Sequence, residues 1–215
     1  MIHIFIVVHY IQALISQGEH QHLDFKFGIS DARKIAKSFV AFANTGGGKL
    51  LIGVKDNGMI AGVRTDEEFY MVEAAASYYC TPPVTFSLRK WENDRKIVLE
   101  VDIPEGRQKP YYAKQKNSTP EAYIRVADEN IKVCNVQLIV WEKQKLPSGI
   151  HIVDAEDKSR LLAYLEENPN ITSAMVCKLL LMSHRKAEQI LADLVYLNIL
   201  EIEYQNDKVL FRTKN

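Results

Sequence analysis

Alternating hydrophobic and polar residues predict the first strand of the chain. Leu23, Phe25 and Phe27 alternate with Asp24 and Lys26, which is the two-residue period of a strand with one buried face. We therefore expect this segment to be a half-buried strand with its apolar side chains inward.

A change of period predicts that a helix follows this strand. Ser30 is suited to an N-cap, and Ile35, Phe39 and Phe42 then recur at intervals of three or four residues. Asn44 and the glycines after it are typical of a helix C-terminus. The pattern predicts a helix that ends at a glycine-rich turn.

Two hairpins are predicted in the middle of the chain. Strand-like runs at 49–54 and 59–63 flank an Asn-Gly pair at 57–58, the strongest short-range signal for a type I′ turn. Runs at 84–91 and 96–103 form the second hairpin. Apolar residues alternate along the last run, so one of its faces should be buried.

Helices and short strands complete this part of the pattern. A capping box predicts a helix from residue 65 to about residue 79, and runs at 111–114 and 122–126 read as strands. Asn135 is suited to cap a helix that ends at residue 145. The Leu-Pro-Ser-Gly segment at 146–149 is the best linker in the chain.

The pattern after the linker is three helices and a hairpin. Thr172 and Ser183 are suited to cap the second and third helices, and Asn198 is a left-handed stop after the third. This order, with a tight turn before the third helix, is typical of a winged helix-turn-helix. The elements are predicted over residues 154–168, 173–181, 184–197, 199–204 and 208–213.

The apolar N-terminus does not have the features of an export signal. It lacks a charged leading segment and a small-residue cleavage site, and it is too short to span a bilayer. Residues 10–17 fit a short amphipathic helix with Ile11, Leu14 and Ile15 inward. We interpret residues 1–8 as an extension of the core domain, produced by an upstream start codon.

Composition indicates a soluble globular chain with no overall basic field. Among 215 residues, 27 Lys and Arg balance 27 Asp and Glu, so attraction to nucleic acid must come from a local patch. Three widely spaced cysteines favour reduced thiols and a cytoplasmic location, and they do not support a zinc site.

The glycine run at 46–48, followed by Lys49, is not a phosphate-binding loop by its context. A P-loop follows a strand and opens a helix, whereas this run follows a helix and precedes a strand. The nearby helix therefore presents the negative end of its dipole. We expect a structural turn and no ATP site.

An ordered set of motifs resembles the Schlafen-type, AlbA-like DNA-binding domain. The resemblance covers residues 11–145, with Asp24 where glutamate is commoner and Ala127 where glycine usually follows the Tyr-x-Arg segment. It implies an AlbA-like mixed sheet. Bacterial members often carry a C-terminal winged helix and are interpreted as transcriptional regulators. The matching segments are Glu19, 24–26, 41–47, 51–58, 60–62, 109–112 and 122–126.

Some members of the wider Schlafen group are RNases with three carboxylates, and Glu19, Asp24 and Asp56 occupy the matching positions. Gathered on one rim, such carboxylates would bind Mg²⁺ or Mn²⁺ for phosphodiester cleavage. The alternative is that they are solvated acids at strand ends and in a turn, where acids commonly occur.

Basic and polar side chains in both halves are candidates for nucleic-acid binding. The C-terminal segment from residue 150 has eight basic and ten acidic residues, a net charge of −2. Because DNA-binding modules are usually basic, a winged helix that binds protein or dimerises stays an alternative. The N-terminal candidates are Lys26, Arg33, Lys34, Lys37, Lys49 and Arg125, those of the third C-terminal helix are Ser183, His184, Arg185, Lys186 and Gln189, and those of the wing are Lys208 and Arg212.

The sequence therefore predicts an α+β protein with four segments. Residues 1–18 are an extension with a short helix, 19–146 a Schlafen/AlbA-like domain, 147–150 a linker and 151–215 a winged helix-turn-helix. We expect a cytoplasmic nucleic-acid-binding regulator without turnover, with DNA favoured over RNA, a homodimer as one option, and no cofactor or membrane partner. The alternatives are a metal-dependent RNase, with Glu19, Asp24 and Asp56 as ligands, and an interaction module.

Overall fold

The structure is a computed structural model that describes residues 10–63, 67–116, 119–146, 155–205 and 208–214. The chain divides into two compact units, residues 1–132 and 133–215. Residues 1–8, Thr65 and most of the predicted linker lie outside the described part. The helices are α1 (10–15), α2 (Ala32–Asn44), α3 (Glu67–Ser77), α4 (Asn135–Gln144), α5 (Ala155–Glu167), α6 (Ser173–Leu180) and α7 (His184–Tyr196).

A mixed four-stranded sheet forms the centre of the first unit. The strand order is β1-β2-β5-β4, with β1 parallel to β2 and the other neighbours antiparallel. The mixed sheet and its helices make this an α+β fold, as predicted. The strands of the chain are β1 (Leu23–Lys26), β2 (Gly48–Ile52), β3 (Cys80–Thr81), β4 (Ser87–Asn93), β5 (Lys96–Ile103), β6 (Tyr112–Ala113), β7 (Tyr123–Val126), β8 (Glu129–Lys132), β9 (Leu200–Gln205) and β10 (Lys208–Thr213).

Helices cover both faces of this sheet. On one face, Phe39 and Phe42 of α2 are buried in the main core of the unit. On the other face, Ile11 of α1 packs with Phe25 and Leu51, and Leu14 borders the same cluster. The predicted short helix with Ile11 and Leu14 inward is therefore confirmed.

The positions of the turns differ from the prediction. Asp94 and Arg95, which join β4 to β5, both have positive φ, the backbone that a type I′ turn requires. Of the two residues of the predicted turn at 57–58, only Gly58 has positive φ, and the second arm is reduced to a bridge between Val54 and Ile60. The type I′ hairpin is thus the second of the two.

Two helix caps also differ from the prediction. The N-cap of α2 is Asp31 rather than Ser30, because the Asp31 carboxylate accepts hydrogen bonds from both the backbone and the side chain of Arg33. The N-cap of α4 is Cys134, which has no capping side-chain hydrogen bond, and Asn135 is the first helical residue.

The second unit has its own core, which α4 joins. Val136 and Val140 of α4 are buried with residues of α5, α6 and α7. Asp193 of α7 pairs with Lys158 of α5 at 2.6 Å and with Lys143 of α4 at 3.0 Å. The sequence placed this helix in the first domain, whereas here it packs with the second unit.

The local signals in the second unit are confirmed. Thr172 and Ser183 accept the capping hydrogen bonds of α6 and α7, and Asn198 has positive φ after α7. Strands β9 and β10 then pair antiparallel. All three cysteines are free. Among the described residues, none of the helices is both long enough and apolar enough to cross a bilayer.

Candidate nucleic-acid interface

Glu19, which precedes β1, and Asp24, which lies on it, meet at the edge of the sheet. Asp24 is only 2 % exposed. Its carboxylate accepts hydrogen bonds from Lys26 at 2.9 Å and from the Ser38 hydroxyl of α2 at 3.1 Å. Glu19 accepts the backbone N–H of Phe25 at 2.8 Å. The alternating pattern put Asp24 on an exposed face, but α2 covers that face.

The pKa values of the two carboxyl groups are shifted in opposite directions. Burial, followed by the hydrogen bond with Asp24, raises the pKa of Glu19. Burial also acts to raise the pKa of Asp24, but the hydrogen bond from Glu19 and the Lys26 ammonium outweigh it and leave that pKa below its usual value. Of the two, Glu19 is therefore the weaker acid and Asp24 the stronger one.

Asp56 does not join this pair. It lies exposed in the turn closed by the hydrogen bond from Gly58 N–H to the Lys55 carbonyl. Among the described residues, no group of three or more His, Cys, Asp or Glu side chains is arranged to hold a metal ion. The structure thus brings two of the three predicted carboxylates together and leaves the third apart.

The side chain of Arg125 is buried in the interior of the first unit. It is 2 % exposed. Its guanidinium donates to the Leu23 carbonyl at 3.3 Å and to the Asn130 side chain at 3.2 Å, lies 3.5 Å from Asp24, and covers the Phe42 ring. In this position the guanidinium binds a backbone carbonyl on the unpaired edge of β1. It is therefore not available to a phosphate at the surface.

Lys49 is neutralised by two carboxylates. Its ammonium lies 2.8 Å from Glu100 and 2.9 Å from Asp102. A cleft of about 290 Å³ opens beside it, lined also by His22 and the glycine turn. A Cβ on Gly48 would overlap the Phe42 ring, so the turn requires glycine for packing. Because its lysine is already paired, this cleft does not favour an anionic phosphate.

The remaining basic candidates of the first unit lie near the surface. Lys26 is held by Asp24, and Arg33 forms a two-pronged ion pair with Asp31. Lys34 is exposed on α2. Lys37 lies one turn further along, with its ammonium 5.2 Å from the centre of the Tyr123 ring.

The start of α7 exposes every predicted contact residue of that helix. His184 lies 3.3 Å from Glu188, and Lys186 lies 3.5 Å from Asp157. Arg185 has no ion-pair partner within the described part of the chain. Gln189 follows Arg185 by one helical turn, so both side chains lie on the same exposed face.

The two predicted wing residues differ in their surroundings. Lys208 is exposed at the start of β10. Arg212 is paired across the hairpin with Glu201 at 2.6 Å and lies 3.5 Å from Glu203. Arg212 is therefore largely neutralised by its own hairpin.

Sequence reasoning missed two polar side chains that organise the first unit. The Asn44 amide donates to the carbonyls of Tyr111 and Tyr123 and accepts the Tyr111 N–H. Glu100, 1 % exposed, accepts hydrogen bonds from Tyr10 and Trp91 in addition to its pairing with Lys49. Their partners are distant in sequence, so no local signal would have found these roles.

A mixed sheet with helices on both faces, followed by a helical unit that ends in a hairpin, defines a two-unit α+β protein. Residues 19–134 match the family described as Schlafen, AlbA_2. The chain belongs to this family. The resemblance inferred from the ordered motifs is confirmed for this segment, which ends immediately before α4.

Two solved structures are similar to the chain. One is the DIP2311 protein from Corynebacterium diphtheriae, with 21 % identity and a TM-score of 0.46, covering 69 % of this chain and 29 % of that protein. The other is the N-terminal domain of a RecG-related ATP-dependent DNA helicase protein from Nitrosomonas europaea, with 20 % identity and a TM-score of 0.41, covering 66 % of this chain and 98 % of that domain. None of the curated proteins matches the sequence.

Proposed function

We propose that this protein binds duplex DNA through the start of α7 and acts as a transcriptional regulator. In this proposal α6 and α7 form a helix-turn-helix, β9 and β10 form its wing, and the whole unit is a winged helix. Membership of the Schlafen, AlbA_2 family supports a role with nucleic acid in general.

The observation that carries the proposal is the exposed face formed by Arg185 and Gln189. The opposite face of α7 is buried through Ala187, Ile190 and Leu191, so the helix is fixed with this pair outward. Arginine reads guanine and glutamine reads adenine through paired hydrogen bonds in the major groove. A recognition helix presents such residues near its N-terminus.

The turn before α7 supports the same reading. Leu181 ends α6 in the left-handed conformation, and Ser183 then caps α7 by accepting the Lys186 N–H. This arrangement turns the chain within three residues, as a helix-turn-helix requires. Some of the acidic side chains of the unit are already in ion pairs, since Asp157 pairs with Lys186 and Glu201 with Arg212.

The test is duplex binding by the full chain and by Arg185→Ala, measured by fluorescence polarisation. Loss of one base-reading arginine should weaken binding about 5- to 150-fold. Arg160→Ala is the matched control, because Arg160 is an exposed arginine of the same unit that donates to the Leu179 carbonyl. Wild-type affinity should fall steeply with salt through counterion release.

Two results would contradict the proposal. One is no retention of duplex DNA at low salt, which favours a protein-interaction module. The other is equal binding by the wild type and Arg185→Ala, which places any DNA contact elsewhere in the chain.

A further inference from the structure

Basic and aromatic side chains of the first unit are connected into one surface, remote in the sequence from α7. We define this basic-aromatic surface by Arg33, Lys34 and Lys37 of α2, Tyr78 after α3, Lys114 after β6, and Lys132 of β8. A series of contacts connects these residues.

The series begins with one group of contacts on α2 and another at the tyrosines that follow α3. Arg33 pairs with Asp31 at 3.0 Å, and Lys34 adds to the effect of Arg33 in holding the pKa of Asp31 below its usual value. The Tyr78 ring packs edge-on against Tyr79, with 5.0 Å between ring centres.

The next contacts continue from these tyrosines to the strands. The Lys114 ammonium lies 4.5 Å from the centre of the Tyr78 ring, and the Lys114 N–H donates to the Tyr79 carbonyl. The preceding residue, Ala113, bridges to Glu121. The series therefore reaches the edge formed by β7 and β8.

The last contacts return to α2. Glu121 is paired with Lys132 and accepts the Tyr123 hydroxyl. The pKa of Glu121 is held below its usual value mainly by Lys132, with a contribution from Lys37. Lys37 in turn lies over the Tyr123 ring. These contacts thus link Tyr78 and Lys114 to Glu121, Lys132 and Lys37. Arg33 and Lys34 lie about one helical turn before Lys37 on α2 and so belong to the same side of that helix.

The charge on this surface differs from that of the chain as a whole. Five cations, at 33, 34, 37, 114 and 132, are accompanied in these contacts by two carboxylates, Asp31 and Glu121. The chain has a net charge of zero. Among the described residues, Lys34 and Lys114 have no ion-pair partner. A local excess of cations attracts a polyanion even when the whole chain is neutral.

The ring at its centre determines which polyanion fits. Tyr78 is 64 % exposed, which leaves ring surface for stacking although the Lys114 ammonium lies 4.5 Å from the ring centre. Bases in a duplex are already stacked on each other, whereas those of a single strand are available to an aromatic side chain. A heparin-like polyanion would use the cations but gain nothing from the ring.

We propose that the basic-aromatic surface binds single-stranded nucleic acid, with Tyr78 stacking on a base and the α2 lysines and Lys114 contacting the flanking phosphates. This site is separate from α7, and it does not require α7 to bind DNA. Ribose and deoxyribose strands share the chemistry that it recognises.

The test measures binding of labelled 15-nucleotide dT and rU strands, and of a 15-base-pair duplex, to the full chain. Tyr78→Leu should lose about 5- to 150-fold in single-strand affinity, the loss expected for one stacked base. Tyr78→Phe keeps the ring and should stay within about twofold of the wild type. Duplex binding, which the proposed function assigns to α7, should be unchanged by Tyr78→Leu.

Two further variants separate stacking from general effects. Tyr70→Leu is the matched control, because Tyr70 is 67 % exposed on α3 but belongs to a different ring contact, with Phe69; it should bind as the wild type does. Lys114→Gln should weaken binding and reduce the salt dependence by about one phosphate contact. It tests the same surface without removing an aromatic ring.

The proposal is overturned if neither strand is retained at low salt, if Tyr78→Leu binds as the wild type does, or if Tyr70→Leu loses as much as Tyr78→Leu. Unchanged affinity and salt slope in Lys114→Gln would also overturn it. Retention of either dT or rU supports it and identifies the sugar preferred. Failure of Arg185→Ala to affect the duplex would refute the α7 proposal and leave this one standing.

Discussion

Replacing Glu100 by Gln should strongly destabilise the first unit. The Glu100 carboxylate lies on β5 under α1 and accepts hydrogen bonds from Tyr10 at 2.7 Å, Lys49 at 2.8 Å and Trp91 at 2.7 Å. Glutamine has the same shape, but its amide NH₂ would face one of these donors. The change therefore removes the charge and leaves a buried donor without an acceptor.

The magnitude follows from these contacts. Breaking a buried ion pair by removing one partner costs about 3–5 kcal/mol. Lys49 is partly exposed and keeps Asp102 at 2.9 Å, which places the expected loss at the lower end, about 3 kcal/mol. Glu92→Gln, on the exposed side of β4, is the control and should change stability by less than about 0.5 kcal/mol.

The assay is urea unfolding followed by tryptophan fluorescence. Trp91 belongs to the first unit and Trp141 to the second, so Trp141→Phe in every variant leaves a reporter of the first unit alone. A loss below about 1 kcal/mol for Glu100→Gln, the net value of an ordinary hydrogen bond, would refute the reasoning.

The pH dependence of this loss has a definite sign. Burial acts to raise the pKa of Glu100, but the hydrogen bonds from Lys49, Tyr10 and Trp91 outweigh it and hold the pKa below its usual value. A carboxylate with a depressed folded-state pKa stabilises the fold above its unfolded-state pKa, and this contribution is lost as pH falls through the folded-state value. The difference between wild type and Glu100→Gln should therefore be full at pH 7 and shrink below about pH 4.5.

Two further predictions concern the turn between β4 and β5 and the core of the second unit. Arg95 has φ 62°, so Arg95→Gly should relieve left-handed strain and raise the free energy of unfolding by about 1 kcal/mol; an unchanged or lower urea midpoint would contradict this. Asp193→Asn removes the anion paired with Lys158, which is 5 % exposed, and should cost about 3–5 kcal/mol in unfolding followed by Trp141 fluorescence with Trp91 replaced by Phe. Asp157→Asn, at a partly exposed pair, is its control, and equal losses in both variants would count against the buried-pair argument.

Local chemistry made the second unit the more predictable of the two. Thr172, Ser183 and Asn198 act within three residues of their own positions, where capping and left-handed stops are decided by side-chain type. The same reasoning missed Asp31 because two adjacent residues could both cap α2. The aspartate has the advantage because it also binds the Arg33 side chain.

The candidate site was less predictable than the elements that carry it. The motifs identified Glu19, Asp24 and Arg125 as candidate site residues, but they did not show that Asp24 and Arg125 would be buried together. Because these charged residues are buried, they pair with each other and do not contact a ligand at the surface. Tyr78 and Lys114 gave no signal, since an exposed tyrosine and a lysine 36 residues apart form no pattern along the chain.

The sequence by itself determined the periodicities, caps and stops, because each depends on residues within one or two turns. Only the tertiary structure decided which charges remain available. On β5, alternation predicted one buried face, yet α1 also covers the other face and encloses Glu100 with a lysine 51 residues away. The fate of a charged side chain depends on the groups that the fold brings to it, and these lie far away in the sequence.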